Sequence, residues 1–141
     1  MNLTKLLLLP LFIHVLLIFI VGVRSLRARA KAVKTGSAKL HEIATDSGAW
    51  PARVKKHGDN FDNQFQTPML WYSACALVVA LKLEDTLFVA LSWMFLLTRI
   101  AHSYVHTTTN SVPPRMRIFL LGFITLMTMW AWLAVKFHVL G

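Results

Sequence analysis

At 141 residues the chain has the length of a single domain, taken here as 1–141. It is 56% hydrophobic and 15% charged, with a mean hydropathy of +0.56, whereas a soluble domain carries about 25% charged residues; an ordinary water-soluble globule is excluded. The net charge of +9 does not mark a nucleic-acid partner, because nine of the fifteen Lys/Arg lie between Arg24 and Lys56, directly behind an apolar run, as in a juxtamembrane segment.

Four apolar blocks follow in chain order, giving an all-α, integral membrane four-helix bundle with the lipid bilayer as its first partner. The first block, 5–23, is KLLLLPLFIHVLLIFIVGV, which meets the roughly 20 residues that a span requires. It exceeds the roughly 7–15 apolar residues of a signal peptide, and the basic RSLRARAK behind it makes a poor cleavage site. It therefore reads as retained. The basic loop, 24–59, begins with good helix formers and reaches a stop at Gly36, so the first helix is expected to run on into it. Within that loop the Trp50-Pro51 pair suits an interfacial contact. The second span is placed at 62–82, with its dense apolar part from Pro68. The third is placed at 86–106 and the fourth at 114–138, with KLED (Lys82–Asp85) as the tight turn between the second and third. Cys75 stands alone in an apolar stretch, reads as a small packing residue, and no disulfide framework exists.

Charge counting orients the bundle. The first loop holds nine Lys/Arg and the third offers Arg115 and Arg117, so both are expected in the cytoplasm and the termini outside. Helices two and four then begin at the cytoplasmic face, with Asp59 as a plausible N-cap for helix two. Two positive dipole ends and the arginines opening helix four make a place for an anion; lipid phosphate is the simpler partner for Arg117.

Helix three carries the most specific pattern. Arg99, His102 and His106 stand at i, i+3 and i+7, one stripe of a helix, with Ser103 beside it. Arg99 lies roughly 10 Å deeper than His106 along the axis, a costly place for an arginine unless it faces the bundle interior and finds partners. Asn63, Gln64, Gln66 and Thr67 are at a similar depth, and Pro68 frees the Gln64 carbonyl as another acceptor. His102 and His106 have the spacing of a shared metal pair, but no carboxylate or cysteine joins them on that helix. His14 and His138 lie at other depths. No metal or haem is therefore expected.

RIAHSYVH (Arg99–His106) followed by N-x-V-x-x-R (Asn110–Arg115), with DNFDNQFQTP (Asp59–Pro68) before them, resembles the MAPEG family, the membrane-associated proteins in eicosanoid and glutathione metabolism. The likeness covers most of the chain and is nearest to the bacterial branch, where N-F-x-N-x-F-x-x-P recurs. It implies a homotrimer of four-helix subunits in a bacterial inner membrane, with glutathione as co-substrate held between subunits near the cytoplasmic face. By position it implies that Arg29, Asn60, His102 and His106 contact the ligand; Asn63, Gln66 and Arg99, read from depth and helical spacing, complete the candidate contacts. Arg115 would lower the pKa of the ligand's thiol or stabilise its thiolate. The chain also departs from the family pattern. The helix-two glutamate is replaced by amide at Asn63 or Gln66, Asp59 stands where an arginine is usual, and Phe119 stands where a tyrosine hydroxyl often appears.

Three functions follow from these residues. One is a glutathione-dependent transferase or peroxidase acting on an apolar small molecule from the bilayer. The second is a non-catalytic MAPEG-fold binding or scaffold protein. The third is a small exporter, which needs an intramembrane carboxylate to exchange protons; here every acid falls in a loop or at a helix end.

Overall fold

The structure, a computed structural model, describes residues 2–140. It contains α1 (Leu3–Lys34), α2 (Leu40–Thr45), α3 (Ala52–Asp62), α4 (Thr67–Ala80), α5 (Thr86–Thr107) and α6 (Val112–Leu140), with a 3₁₀ turn at Ser47–Ala49 and no strand among the described residues. Among the described residues three helices, α1, α5 and α6, are long and apolar enough to cross a membrane.

α1 begins with the Asn2 side chain accepting from the Thr4 amide and runs on through the basic segment to Lys34. It stops where the sequence places a stop, with Gly36 at φ +70. Pro10 leaves the Leu6 carbonyl without its helical donor, and the Trp93 indole N–H of α5 takes that carbonyl at 3.1 Å. The helix thus passes through a proline without an orphaned acceptor.

Most of the basic loop is helical. α3 runs back along the extension of α1: a methyl on Gly22 would sit 3.1 Å from the Phe61 ring, and one on Gly58 would sit 3.0 Å from Arg29 Nη2. Ala32, Ala38 and Val54 are buried between the two, with Ala28, Ile43 and Trp50 packed around them. Trp50 is therefore occupied in an intramolecular contact.

The second apolar block differs from the expected continuous helix over 62–82. α3 ends at Asp62, residues 63–66 form a turn, and α4 starts afresh at Thr67. Pro68 is the cause: it lacks an N–H and its ring blocks a helix continuing through the Gln64 carbonyl, yet it fits the first turn of a new helix. α4 has 14 residues, about 21 Å at 1.5 Å each. The break also corrects the capping expectation. Asp59 lies inside α3, near its C-terminal end, and caps nothing. Of the two positive helix ends expected at the basic side, α6 supplies one, and α4 supplies the other from a deeper level.

α5 is the central helix, packed against α1, α3 and α6. Its distal half joins the main core of Trp71, Ala74, Cys75, Val78, Phe88, Phe95, Leu126 and Met129. There Trp71 Nε1 donates to Ser92 Oγ at 3.0 Å. The turn at Lys82–Asp85 is tight, with Lys82 at φ 55. Asp85 caps α5 by accepting from the Phe88 amide at 2.7 Å and from Trp132 Nε1 at 2.8 Å, and it pairs with Lys136. Burial pushes the Asp85 carboxyl up, but Lys136, the Phe88 amide and Trp132 outweigh this and hold it below the usual carboxylate range.

Candidate ligand cleft at the basic end

The proximal half of α5 turns polar. Arg99, His102, Ser103 and His106 are all buried, as their common stripe predicts, facing the 60–67 segment and the start of α6. Ser103 Oγ accepts from Asn60 Nδ2 at 2.9 Å. Gln64 Nε2 donates to the Asn60 carbonyl at 2.9 Å, and Gln64 Oε1 lies 3.2 Å from His14 Nε2. His14 Nδ1 is 2.8 Å from the Tyr72 hydroxyl. Because Gln64 donates through Nε2, its Oε1 needs a donor, so His14 carries its proton on Nε2 and accepts from Tyr72. This chain of five side chains pins the helix break to α1, α3, α4 and α5. A mid-span histidine on α1 paired with an amide before a proline is its only trace in the sequence.

Above this chain is an open cleft of about 450 Å³, lined by Asp59, Asn63, Gln66, His102, His106, Val112, Arg115, Met116 and Phe119. Asn63 Nδ2 donates to His106 Nδ1 across 3.4 Å, near the upper limit for such a bond. The His102 and His106 rings are 5.6 Å apart edge to face, and Phe119 backs His102 at 6.1 Å. Arg115 is half-buried in the first turn of α6, and its Nη1 donates to Asn110 Oδ1 at 2.6 Å. Asn110 adopts φ 51, the left-handed conformation that asparagine tolerates. It thereby turns the chain from α5 into α6 and holds the arginine.

Of the eight residues singled out from sequence, Asn63, Gln66, His102, His106 and Arg115 meet in this cleft. The other three do not line it. Asn60 is fully buried and committed to Ser103 and Gln64. Arg29 stacks on the Trp50 ring at 5.4 Å in an adjoining crevice, which shares Asp59 with the cleft. Arg99 lies behind the cleft between the Phe95 and Phe119 rings, at 5.3 and 5.5 Å. Of the partners expected for Arg99 on the second helix, only Thr67 reaches it, at 3.3 Å from Nη1. Its Nε and Nη2 are buried without partners among the described residues. Phe119 stands in the cleft wall as its sequence position implies, while Val112 and Met116, on the same helical face as Arg115, are lining residues that sequence reasoning missed.

These features define a helical membrane protein with a polar cleft at its basic end. The MAPEG family model matches residues 7–135, and the chain belongs to that family. No curated protein and no solved structure matches it.

Proposed function

We propose that the protein is a glutathione-dependent transferase or peroxidase of the bilayer, acting on apolar electrophiles, with Arg115 as the thiol-activating residue. The observation that carries this reading is the cleft itself, with one arginine, two histidines and two amides facing a space walled on one side by Val112, Met116 and Phe119. The donor set suits a peptide with carboxylate ends, and Asp59, the one acid in the wall, suits its ammonium end in place of the missing glutamate. The Arg115 guanidinium and the positive end of α6 favour the thiolate over the thiol. The sulfur then attacks the electrophilic carbon, a C–S bond forms, and the leaving group departs with its bonding electrons. The exposed face of α6, through Met116, Leu120, Ile124 and Met127, offers the apolar substrate a path from the membrane.

In this reading α4 is the fourth span of a four-helix subunit, and the subunit assembles as a homotrimer in a bacterial inner membrane. The basic loop is cytoplasmic and the termini are outside. The exposed apolar faces of α1, α4 and α6 supply surface for neighbouring subunits and lipid.

The scaffold reading draws support from a separate observation. Asn60 is spent on internal hydrogen bonds, Arg99 is walled off, and Phe119 lacks a hydroxyl, so fewer groups remain for a ligand. Calorimetry on detergent-purified protein separates the two. Glutathione is expected to bind at millimolar concentration or below, and Arg115→Ala is expected to weaken binding about 30-fold, the loss of one charge-assisted contact. No heat at millimolar glutathione ends the enzyme reading and leaves the scaffold. Equal binding by wild type and Arg115→Ala moves the site elsewhere. Conjugation of an aryl chloride then tests turnover.

A further inference from the structure

A second cleft lies outside the spans, between the extension of α1 and α3. It has a volume of about 410 Å³ and is lined by Ala28, Lys31, Ala32, Thr35, Ser37, Pro51, Arg53, Val54 and His57. We propose that this cleft binds the phosphate of an anionic phospholipid headgroup, with Lys31 and Arg53 as its charged contacts and His57 at its membrane-proximal end.

Charge supports this first. Three basic side chains from two helices converge on the cleft, and no acid lines it. Among the described residues, Lys31 and Arg53 take part in no ion pair, whereas Lys39, Lys55 and Lys136 each have a carboxylate. Both are exposed at the rim, while Ala32 and Val54 are buried in the floor. A cationic rim over a small apolar floor matches a phosphate carried on a glycerol backbone better than it matches a fully hydrated ion.

Position supports it next. The apolar run of α1 ends at Val23. Ala28 follows about 8 Å further along the helix, and Lys31 about 12 Å further. The interfacial layer on each side of the hydrocarbon is about 5–8 Å thick, so Ala28 stands at its outer edge and the Lys31 backbone about 4 Å beyond it, a gap that a snorkelling lysine side chain spans. α3 returns antiparallel, so His57 stands near the Ala28 end and Arg53 farther out. A lipid drawn up beside α1 therefore meets His57 first and Lys31 and Arg53 next. The imidazole is held below its usual range by partial burial, then by Lys56 and Arg24. A phosphate in the cleft opposes that effect and pushes it upward.

The test uses the whole protein in nanodiscs and native mass spectrometry. Phosphatidylglycerol is expected to bind as a countable adduct in preference to phosphatidylcholine. Lys31→Gln/Arg53→Gln is expected to weaken that binding about 30-fold, from about fivefold per cation near an anionic surface. Arg27→Gln/Lys34→Gln removes the same charge from exposed positions of α1 outside the cleft, and is expected to change binding less than threefold. The His57 ring resonance is expected to titrate at higher pH in phosphatidylglycerol nanodiscs than in phosphatidylcholine ones. Equal losses in the two double variants reduce the effect to a diffuse basic surface and overturn the site. The site is equally overturned if phosphatidylglycerol shows no preference over phosphatidylcholine. If inorganic phosphate alone, in phosphatidylcholine nanodiscs, reproduces the His57 shift, the ligand is a soluble anion and the lipid assignment fails.

Discussion

The two ends of the bundle are built from the same helices but solve opposite problems. At the distal end, around Trp71, Phe88, Phe95 and Met129, the core is apolar, and the few polar atoms are all engaged: Ser92 by Trp71, the Leu6 carbonyl by Trp93, and Asp85 by Phe88, Trp132 and Lys136. At the basic end the same α5 buries an arginine and two histidines beside an open cleft, and two Arg99 nitrogens have no partner among the described residues. In lipid an unsatisfied polar group is costly, so satisfied polar atoms mark scaffold and unsatisfied ones mark where the sequence has given up stability. The distal end stabilises the protein, and the basic end carries the cleft proposed as its functional site.

The largest effect is expected where the distal core is emptied. Trp71→Ala removes a fully buried indole and its hydrogen bond to Ser92, costing about 4 kcal/mol in detergent unfolding, while glutathione binding at the site proposed in the basic-end cleft stays within a few-fold. A large affinity loss in protein that remains folded contradicts the division into two ends. Next is Gly122→Val, at the junction between them. A methyl there would lie 2.6 Å from Thr98 Oγ1 and 3.0 Å from Arg99 Nη2, so α5 and α6 must separate. The expected cost is about 3 kcal/mol, and both stability and cleft binding should fall together.

Asp85→Asn is expected to cost about 1.5 kcal/mol, between the values for exposed and buried ion pairs. The asparagine keeps the cap on Phe88 but loses the charge opposite Lys136. The wild-type carboxyl has its pKa depressed in the folded state, so its contribution is complete above about pH 4, the unfolded value, and is lost as the pH falls through the folded pKa. The melting temperature of the wild type should drop more steeply below pH 4 than that of Asp85→Asn; parallel curves would remove this carboxylate from the account. The smallest effect carries the sharpest sign. Arg99→Met exchanges a buried, half-satisfied cation for an apolar chain of similar length, and stability is expected to hold or to rise by about 1 kcal/mol. A clear loss of stability would mean that Arg99 is structural, and the contrast between the ends would disappear.

Much of the site was legible in the sequence because helical periodicity is local. The Arg99/His102/His106 stripe, the Gly36 stop and the turn at Lys82–Asp85 follow from spacing and residue type alone. Asn63, Gln66 and Arg115, singled out from the second and fourth helices, lie in the same cleft as the two histidines. The errors arose where one signal obscured another. The apolar run after Pro68 reads as continuous with the polar segment before it, which makes Asp59 a cap; Pro68 instead divides the segment and leaves Asp59 inside α3 as part of the cleft wall. Arg99 was expected to find amides on the second helix, but Gln64 is taken by His14 and Asn60, and Asn63 by His106.

The sequence by itself determined that this is a helical protein of the membrane, which end is basic, and which face of α5 is polar. Each of these depends on composition or on neighbours within a few turns, and so is written in the chain one segment at a time. Only the tertiary structure decided which polar residues are consumed by one another and which face open space. That depends on side chains 40 or more residues apart, such as Asn60 with Ser103 and His14 with Gln64, competing for the same few hydrogen bonds. Their pairing leaves Arg115, the histidines and Asp59 around the cleft.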